Sequence, residues 1–154
     1  MIDPRGQRFA AALTTVVLTA VLLLDSPVLL ALQAAAFGLA VALKPARSPY
    51  GLVYARLVRP HLGAPAELED ARPPRFAQAV GLAFAVAGLV AYALGAPAAA
   101  AVAVGAALAA AFLNAAFGIC LGCEVYLTYR RILTRTVPLR TDVRSDTDVT
   151  EVSA

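Results

Sequence analysis

Residues 9–43 read FAAALTTVVLTAVLLL-DSP-VLLALQAAAFGLAVAL, two apolar runs separated by three residues. Neither run, Phe9 to Leu24 or Val28 to Leu43, contains a charged residue. Asp and Ser favour turns, and Pro27 cannot continue a preceding helix. Since a bilayer crossing takes roughly 20 mostly apolar residues, the stretch predicts a tight hairpin of two transmembrane helices, each completed by flanking polar residues.

A second hairpin repeats this plan. It has a first leg from Phe76 to Leu94, a Gly-Ala-Pro turn, and a second leg from Ala98 to about Leu127. The sequence therefore predicts an all-α integral membrane protein with four transmembrane helices in two tandem hairpins, at about residues 9–24, 28–43, 76–94 and 98–127. A cleaved signal peptide is the alternative for the first leg.

A weak internal repeat accompanies the two hairpins. Arg8-Phe9-Ala10 recurs as Arg75-Phe76-Ala77, and Tyr50-Gly51 corresponds to Phe117-Gly118, both 67 residues later. Copies of two crossings each would share one orientation, as in a parallel duplication. Chance similarity among Ala, Leu and Val is the alternative.

Composition and charge exclude a soluble catalytic domain. The chain is 60% hydrophobic and 15% charged, whereas soluble domains are about half apolar and a quarter charged. All 13 Lys and Arg residues lie before, between or after the hairpins, and none lies in a hairpin turn. Because basic segments resist translocation, both termini are predicted to be cytoplasmic. The basic residues flank apolar runs, which favours the lipid bilayer as the anionic partner and excludes nucleic acid.

The segment between the hairpins predicts a short interfacial amphipathic helix at about residues 50–62. Tyr50 and Tyr54 lie on its apolar face, and Arg56 and Arg59 lie opposite, which is typical of a helix at the membrane surface. We expect residues 1–140 to form a single membrane domain. The polar residues 141–154 predict a disordered cytoplasmic tail.

The two cysteines of the chain, Cys120 and Cys123, form a Cys-x-x-Cys motif in the last apolar run. The cytosol keeps thiols reduced, which argues against a structural disulfide. Because the motif contains the only cysteines of the chain, we interpret them as a functional pair, with two packed core cysteines as the alternative. In one continuous helix the pair lies near a C-terminus, whose carbonyls disfavour a thiolate, as does the adjacent Glu124. Both thiols are then expected to titrate above the usual value of about 8.5.

Residue type and spacing also predict roles for residues near the motif and bear on metal binding. Glu124 is a candidate base, or alternatively a carboxylate paired with Arg at the interface. Gly118 and Gly122 match the small-residue pattern of close helix packing, or alternatively let the helix distort so that the two cysteines can form a disulfide. Asn114 is expected to hydrogen-bond to a neighbouring helix, or alternatively to line a pore with Gln33. No metal site is predicted in one chain; a zinc site of four sulfurs across a homodimer is the alternative.

The segment Phe112-Leu113-Asn114-Ala115-Ala116-Phe117-Gly118-Ile119-Cys120-Leu121-Gly122-Cys123-Glu124, with the opening Asp3-Pro4-Arg5-Gly6-Gln7-Arg8-Phe9, resembles a bacterial membrane family, the domain of unknown function 4395. The resemblance covers nearly the whole chain except the tail. It implies a bacterial inner (plasma) membrane location. It also implies a sulfur context, because members are often encoded beside thioredoxin-like and rhodanese-like proteins. It names no catalytic residue.

The functional hypothesis is thiol-disulfide or persulfide exchange between Cys120 and Cys123 and a thioredoxin-like or rhodanese-like cytoplasmic partner. The alternatives are a small transporter or channel subunit for a sulfur species, and a non-catalytic assembly protein whose cysteines only pack. Ala-rich crossings with close-packing glycines predict a homo-oligomer or a stable partner complex. The cofactor stays unknown from the sequence.

Overall fold

The computed structural model describes residues 3–63 and 69–135, and these residues form helices joined by short turns. The α-helices within these ranges are α1 Pro4–Leu24, α2 Pro27–Leu43, α3 Pro49–Val53, α4 Arg72–Ala93, α5 Pro97–Phe117 and α6 Leu121–Arg135. The predicted all-α class is confirmed. The predicted tail at residues 141–154 lies outside the described residues.

Each of the four helices α1, α2, α4 and α5 has a proline in its first turn. Proline suits this position because the backbone N–H that it lacks has no partner there in any case. The side chains of Asp3 and Ser26 cap α1 and α2 by accepting backbone N–H groups of the first turn. At Ser26, the turn that follows α1 thus also starts α2.

Within residues 3–63 and 69–135, three helices are long and apolar enough to cross a membrane: Pro4–Leu24, Arg72–Ala93 and Pro97–Phe117. The apolar α2 has 17 residues and is shorter than these three. Helix α1 packs against α2 and α5, and α4 packs against the same two helices. The four helices therefore form a ring in which α1 lies diagonally across from α4, around fully buried side chains that include Leu18, Val21, Leu30 and Val104.

The two ends of this bundle differ. At the end where the hairpins turn, the Tyr92 hydroxyl donates to Asp25 at 2.7 Å and joins the two turns. At the other end, here called the site end, α1 and α4 begin and α2 and α5 finish. There the Arg75 guanidinium donates to the Val41 carbonyl at the end of α2, at 2.6 Å. The site end carries the polar contacts on which the following site depends.

Candidate functional site

A break in the chain after α5 sets the geometry of the cysteine motif. Helix α5 ends at Phe117, and Gly118 adopts the left-handed conformation with φ 72°. Its N–H donates to the Asn114 carbonyl at 3.0 Å, the usual way in which a glycine terminates a helix. The predicted fourth helix over about 98–127 is therefore wrong, because it is two helices, α5 and α6, separated by residues 118–120.

Arg8 of α1 supports this break. Its guanidinium donates to the carbonyls of Ala115 and Ala116 at 3.3 and 3.4 Å. These carbonyls belong to the last turn of α5, where the helix provides no further backbone N–H groups to bind them. A positive charge at this position also offsets the negative end of the α5 dipole. Arg8 thus satisfies the helix end next to the motif.

Cys120 stands at the start of α6. Its carbonyl accepts the N–H of Glu124 at 3.0 Å, the first hydrogen bond of that helix. This places Cys120 at the N-cap position and Cys123 in the first turn. The expectation that both cysteines approach a helix C-terminus is wrong, because the break at Gly118 converts the middle of a predicted helix into an N-terminus.

The new position reverses the electrostatics of one thiol. The side chain of Cys123 donates a hydrogen bond to Cys120, and this bond is the largest cause of a pKa of about 7 for Cys120. Burial raises that pKa, but the backbone N–H groups of Cys123 and Gly122 also lower it. The same hydrogen bond, followed by burial, raises the pKa of Cys123. Glu124 disfavours the Cys120 thiolate only as the last of the contributions to its pKa. The pair therefore contains one acidic thiol and one proton-holding thiol.

Gln7 of α1 contacts this pair directly. Its side-chain amide Nε2 donates to Cys123 Sγ at 3.6 Å. No contact with the cysteine motif was predicted for Gln7 or Arg8 from the sequence. A usable signal was their position, since both are polar side chains on the first turns of an apolar helix and therefore need partners in the protein.

Gly118 and Gly122 were predicted to share one packing role, but they have different roles in the structure. Gly118 ends α5 and lies outside any helix. Gly122 lies in α6 against α4, where an added Cβ would come within 2.6 Å of the Ala77 Cβ. Beside it, the rings of Phe76 and Tyr126 pack with centroids 5.6 Å apart. Gly122 thus lets α6 approach the start of α4 closely within the chain.

The other predicted site residues lie around the motif and at the site end. Asn114 lines a cavity together with Cys120, and Glu124 is exposed. Helical turns continue from α3 through Tyr54–Val58 and Arg59–His61. Arg56 and Arg59 are exposed on them.

Both tyrosines of this segment face the bundle instead of the membrane surface. Tyr54 is only 5% exposed, donates to Asp3 at 2.9 Å and packs against the Phe9 ring. The Tyr50 hydroxyl donates to the Gln33 side chain. The apolar side chain that the segment exposes most is Leu57, at 66%.

The family model of the domain of unknown function 4395 matches residues 2–131 of the chain. The match includes both hairpins, Gln7, which contacts Cys123, and most of α6. It confirms the resemblance identified from the sequence. No curated protein and no solved structure matches the chain.

Proposed function

The chain belongs to the family of the domain of unknown function 4395, and we propose that it exchanges disulfide bonds or persulfide sulfur with a soluble partner at a membrane. In this function Cys120 attacks and Cys123 resolves. The observation that carries the proposal is the position of Cys120 at the N-terminus of α6, where the Cys123 thiol and two backbone N–H groups stabilise its thiolate. Reactive cysteines of exchange proteins occupy such electropositive, partly exposed helix starts.

The two pKa directions divide the chemistry between the cysteines. The Cys120 thiolate attacks one sulfur of a partner disulfide, a mixed disulfide forms, and the second partner sulfur leaves as a thiolate. Cys120 has then lost its negative charge and no longer accepts the Cys123 proton, so the largest cause of the raised pKa of Cys123 is gone. Cys123 loses its proton, with Glu124 as the proposed base, and attacks Cys120 Sγ. The products are an intramolecular disulfide and a partner with two thiols.

Persulfide exchange uses the same groups. The Cys120 thiolate attacks the outer sulfur of a partner persulfide and becomes a persulfide itself, and the partner leaves as a thiolate. Cys123 then attacks the inner sulfur of Cys120, forms the disulfide and releases hydrosulfide. Neither route requires a reactant besides the partner and the two cysteines. We therefore propose both thioredoxin-like proteins, which supply a disulfide, and rhodanese-like proteins, which supply a persulfide, as the partner class. Exposed apolar side chains beside Cys120 offer such a partner a contact surface: Phe117, Ile119 and Leu121.

We further propose that all four bundle helices cross a bacterial inner membrane and that both termini are cytoplasmic. Helix α2 is short, but its 17 residues pack between α1 and α4 and cover about 25 Å at 1.5 Å per residue. The site end, which carries Arg8, Arg75 and the segment with Arg56 and Arg59, then faces the cytoplasm. A soluble cytoplasmic partner could reach Cys120 from this side.

Paired contacts support the proposed internal duplication. Arg8 and Arg75, 67 residues apart, each donate to carbonyls at the end of the second helix of the other hairpin. Phe9 and Phe76, with the same spacing, each pack against a tyrosine from the segment that follows their hairpin. We propose that the second copy acquired the chain break and the two cysteines. Assembly into a homo-oligomer or partner complex is proposed as well, since many large apolar side chains of the bundle are exposed.

Trapping of a mixed disulfide tests the proposed exchange. Cys123→Ser keeps the attacking thiol and removes the resolving one, so it should accumulate a mixed disulfide at Cys120 when incubated with an oxidised thioredoxin-like protein. Cys120→Ser is the matched control and should accumulate far less, because Cys123 is the less acidic thiol. Equal trapping by both variants, or trapping by neither, would contradict the assigned roles.

A further inference from the structure

A cavity of about 310 Å³ lies among the four bundle helices and reaches the start of α6. Alanines of α5 and the rings of Phe37 and Phe84 form much of its wall, and Cys120 and Gly122 lie at its site end. Three of the contributing helices, α1, α4 and α5, are long and apolar enough to cross a membrane. The acidic thiol therefore borders an apolar cavity within the bundle as well as the exposed surface.

The polar groups of the cavity wall are uncharged hydrogen-bonding groups: Thr14, Gln78 and Asn114. Two linked hydrogen bonds orient Thr14. Gln33 Nε2 donates to Thr14 Oγ1 at 3.5 Å, and the Tyr50 hydroxyl donates to Gln33 Oε1. Gln33 itself is 1% exposed. The bond from Gln33 uses a lone pair of the Thr14 oxygen and leaves its proton to be donated.

We propose that this cavity binds the ring of a membrane quinone, which oxidises the Cys120–Cys123 dithiol. The inference rests on the proposed exchange function and names the lipophilic co-substrate of the same cysteines. Two S–H bonds break and one S–S bond forms, and the two electrons and two protons convert both ring carbonyls into the hydroxyls of the quinol. The disulfide is then reduced by the dithiol form of the soluble partner, which is the reverse of the exchange written above and regenerates the Cys120–Cys123 dithiol.

Three properties of the cavity select a quinone. Its volume lies at the lower limit of small-molecule sites, about 300 to 1,000 Å³, so it accommodates a ring system and leaves an isoprenoid chain among the lipids. Its apolar walls favour a ligand that arrives from the bilayer. Its hydroxyl and amide groups can donate to carbonyl oxygens, whereas a charged sulfur species would meet no opposite charge among the residues that line it.

Direct binding of decylubiquinone tests the site without electron transfer. Protein with both cysteines replaced by serine should bind this quinone saturably in equilibrium dialysis from nanodiscs. Ala110→Phe fills the cavity from α5 and should weaken binding about tenfold or more. Ala109→Phe places the same ring on the exposed side of α5 and should leave the affinity unchanged. Should Ala110→Phe fail to fold by size-exclusion chromatography, Asn114→Leu gives the second test and should weaken binding about fivefold.

Electron transfer is measured with the two cysteines present. Under argon, the reduced protein should lose two thiols for each quinol formed, and Cys120→Ser should form none. Equal affinity in the Ala110→Phe and Ala109→Phe proteins, or in the Asn114→Leu and unsubstituted proteins, overturns the inference, as does quinone binding without thiol loss. Success of the mixed-disulfide trap alongside such a result would leave the proposed exchange function intact. Quinone reduction without trapping would support the quinone site and reject the proposed soluble partner.

Discussion

Replacement of Cys123 separates the contributions that hold the pKa of Cys120 at about 7. The largest is the hydrogen bond from the Cys123 side chain, and two backbone N–H groups at the start of α6 also contribute. Serine retains a donor at position 123, whereas alanine does not. We therefore expect the pKa of Cys120 to stay lowered in Cys123→Ser and to rise toward the ordinary value of about 8.5 in Cys123→Ala.

The size of this effect follows from the ionised fractions. At neutral pH a thiol with a pKa of about 7 is about half thiolate, whereas one with a pKa of about 8.5 is about 3% thiolate. A complete return to the ordinary value would thus lower the thiolate fraction about fifteenfold. Because the backbone N–H groups remain in Cys123→Ala, we expect a smaller loss, about threefold to tenfold.

The assay is the rate of iodoacetamide alkylation at Cys120 across the pH range, read by mass spectrometry. Cys120 is the sole thiol in both variants, so each profile has one midpoint. The midpoint is compared instead of a single rate, because intrinsic thiolate reactivity falls as the pKa falls. The reasoning is refuted if the two midpoints coincide, or if the midpoint in Cys123→Ser lies above the ordinary thiol value.

Three further predictions test the packing, the chain break and the topology. Gly122→Ala should destabilise the protein by about 1 to 3 kcal/mol in reversible unfolding, because the new Cβ overlaps α4; Gly105→Ala, which meets nothing within 4 Å, is the control and should not. Gly118→Ala should cost about 1 to 2 kcal/mol because alanine is strained at φ 72°, and a neutral result would contradict the described helix end. In protein without its native cysteines, a cysteine at Ser26 should react with an impermeant maleimide added to whole cells and one at His61 should not; the reverse pattern would overturn the proposed orientation.

The hairpins were predictable because their signals are local. An apolar run, an Asp-Ser-Pro or Gly-Ala-Pro turn and a second apolar run determine where a helix stops, whatever it packs against. The predicted boundaries were too narrow at the site end, where α1 begins at Pro4 and α4 at Arg72. Hydrophobicity marks the apolar part of a helix, whereas Asp3 and the prolines mark its start.

The chain break was not predictable from the run that contains it. Glycine within an apolar segment is equally compatible with a packed helix and with a helix end. Gly118 and Gly122 show both outcomes four residues apart. What distinguishes them is tertiary: Arg8 binds the carbonyls before Gly118, and α4 packs against Gly122. Likewise, an amphipathic pattern identifies the apolar face of the Tyr50–Tyr54 segment but not whether lipid or the bundle covers it.

The break gives Cys120 hydrogen-bond donors that a continuous helix would keep paired within itself. Interrupting a helix leaves carbonyls without partners before the break and N–H groups without partners after it, and both are costly away from water. Here the Gly118 N–H and Arg8 satisfy carbonyls of α5, while Cys120 accepts N–H groups of α6. The group that caps α6 is therefore the sulfur atom of Cys120. The backbone N–H groups that it accepts are donors that stabilise a thiolate. A continuous helix would have kept these N–H groups paired within the helix, and Cys120 would have had only the hydrogen bond from the Cys123 side chain to lower its pKa.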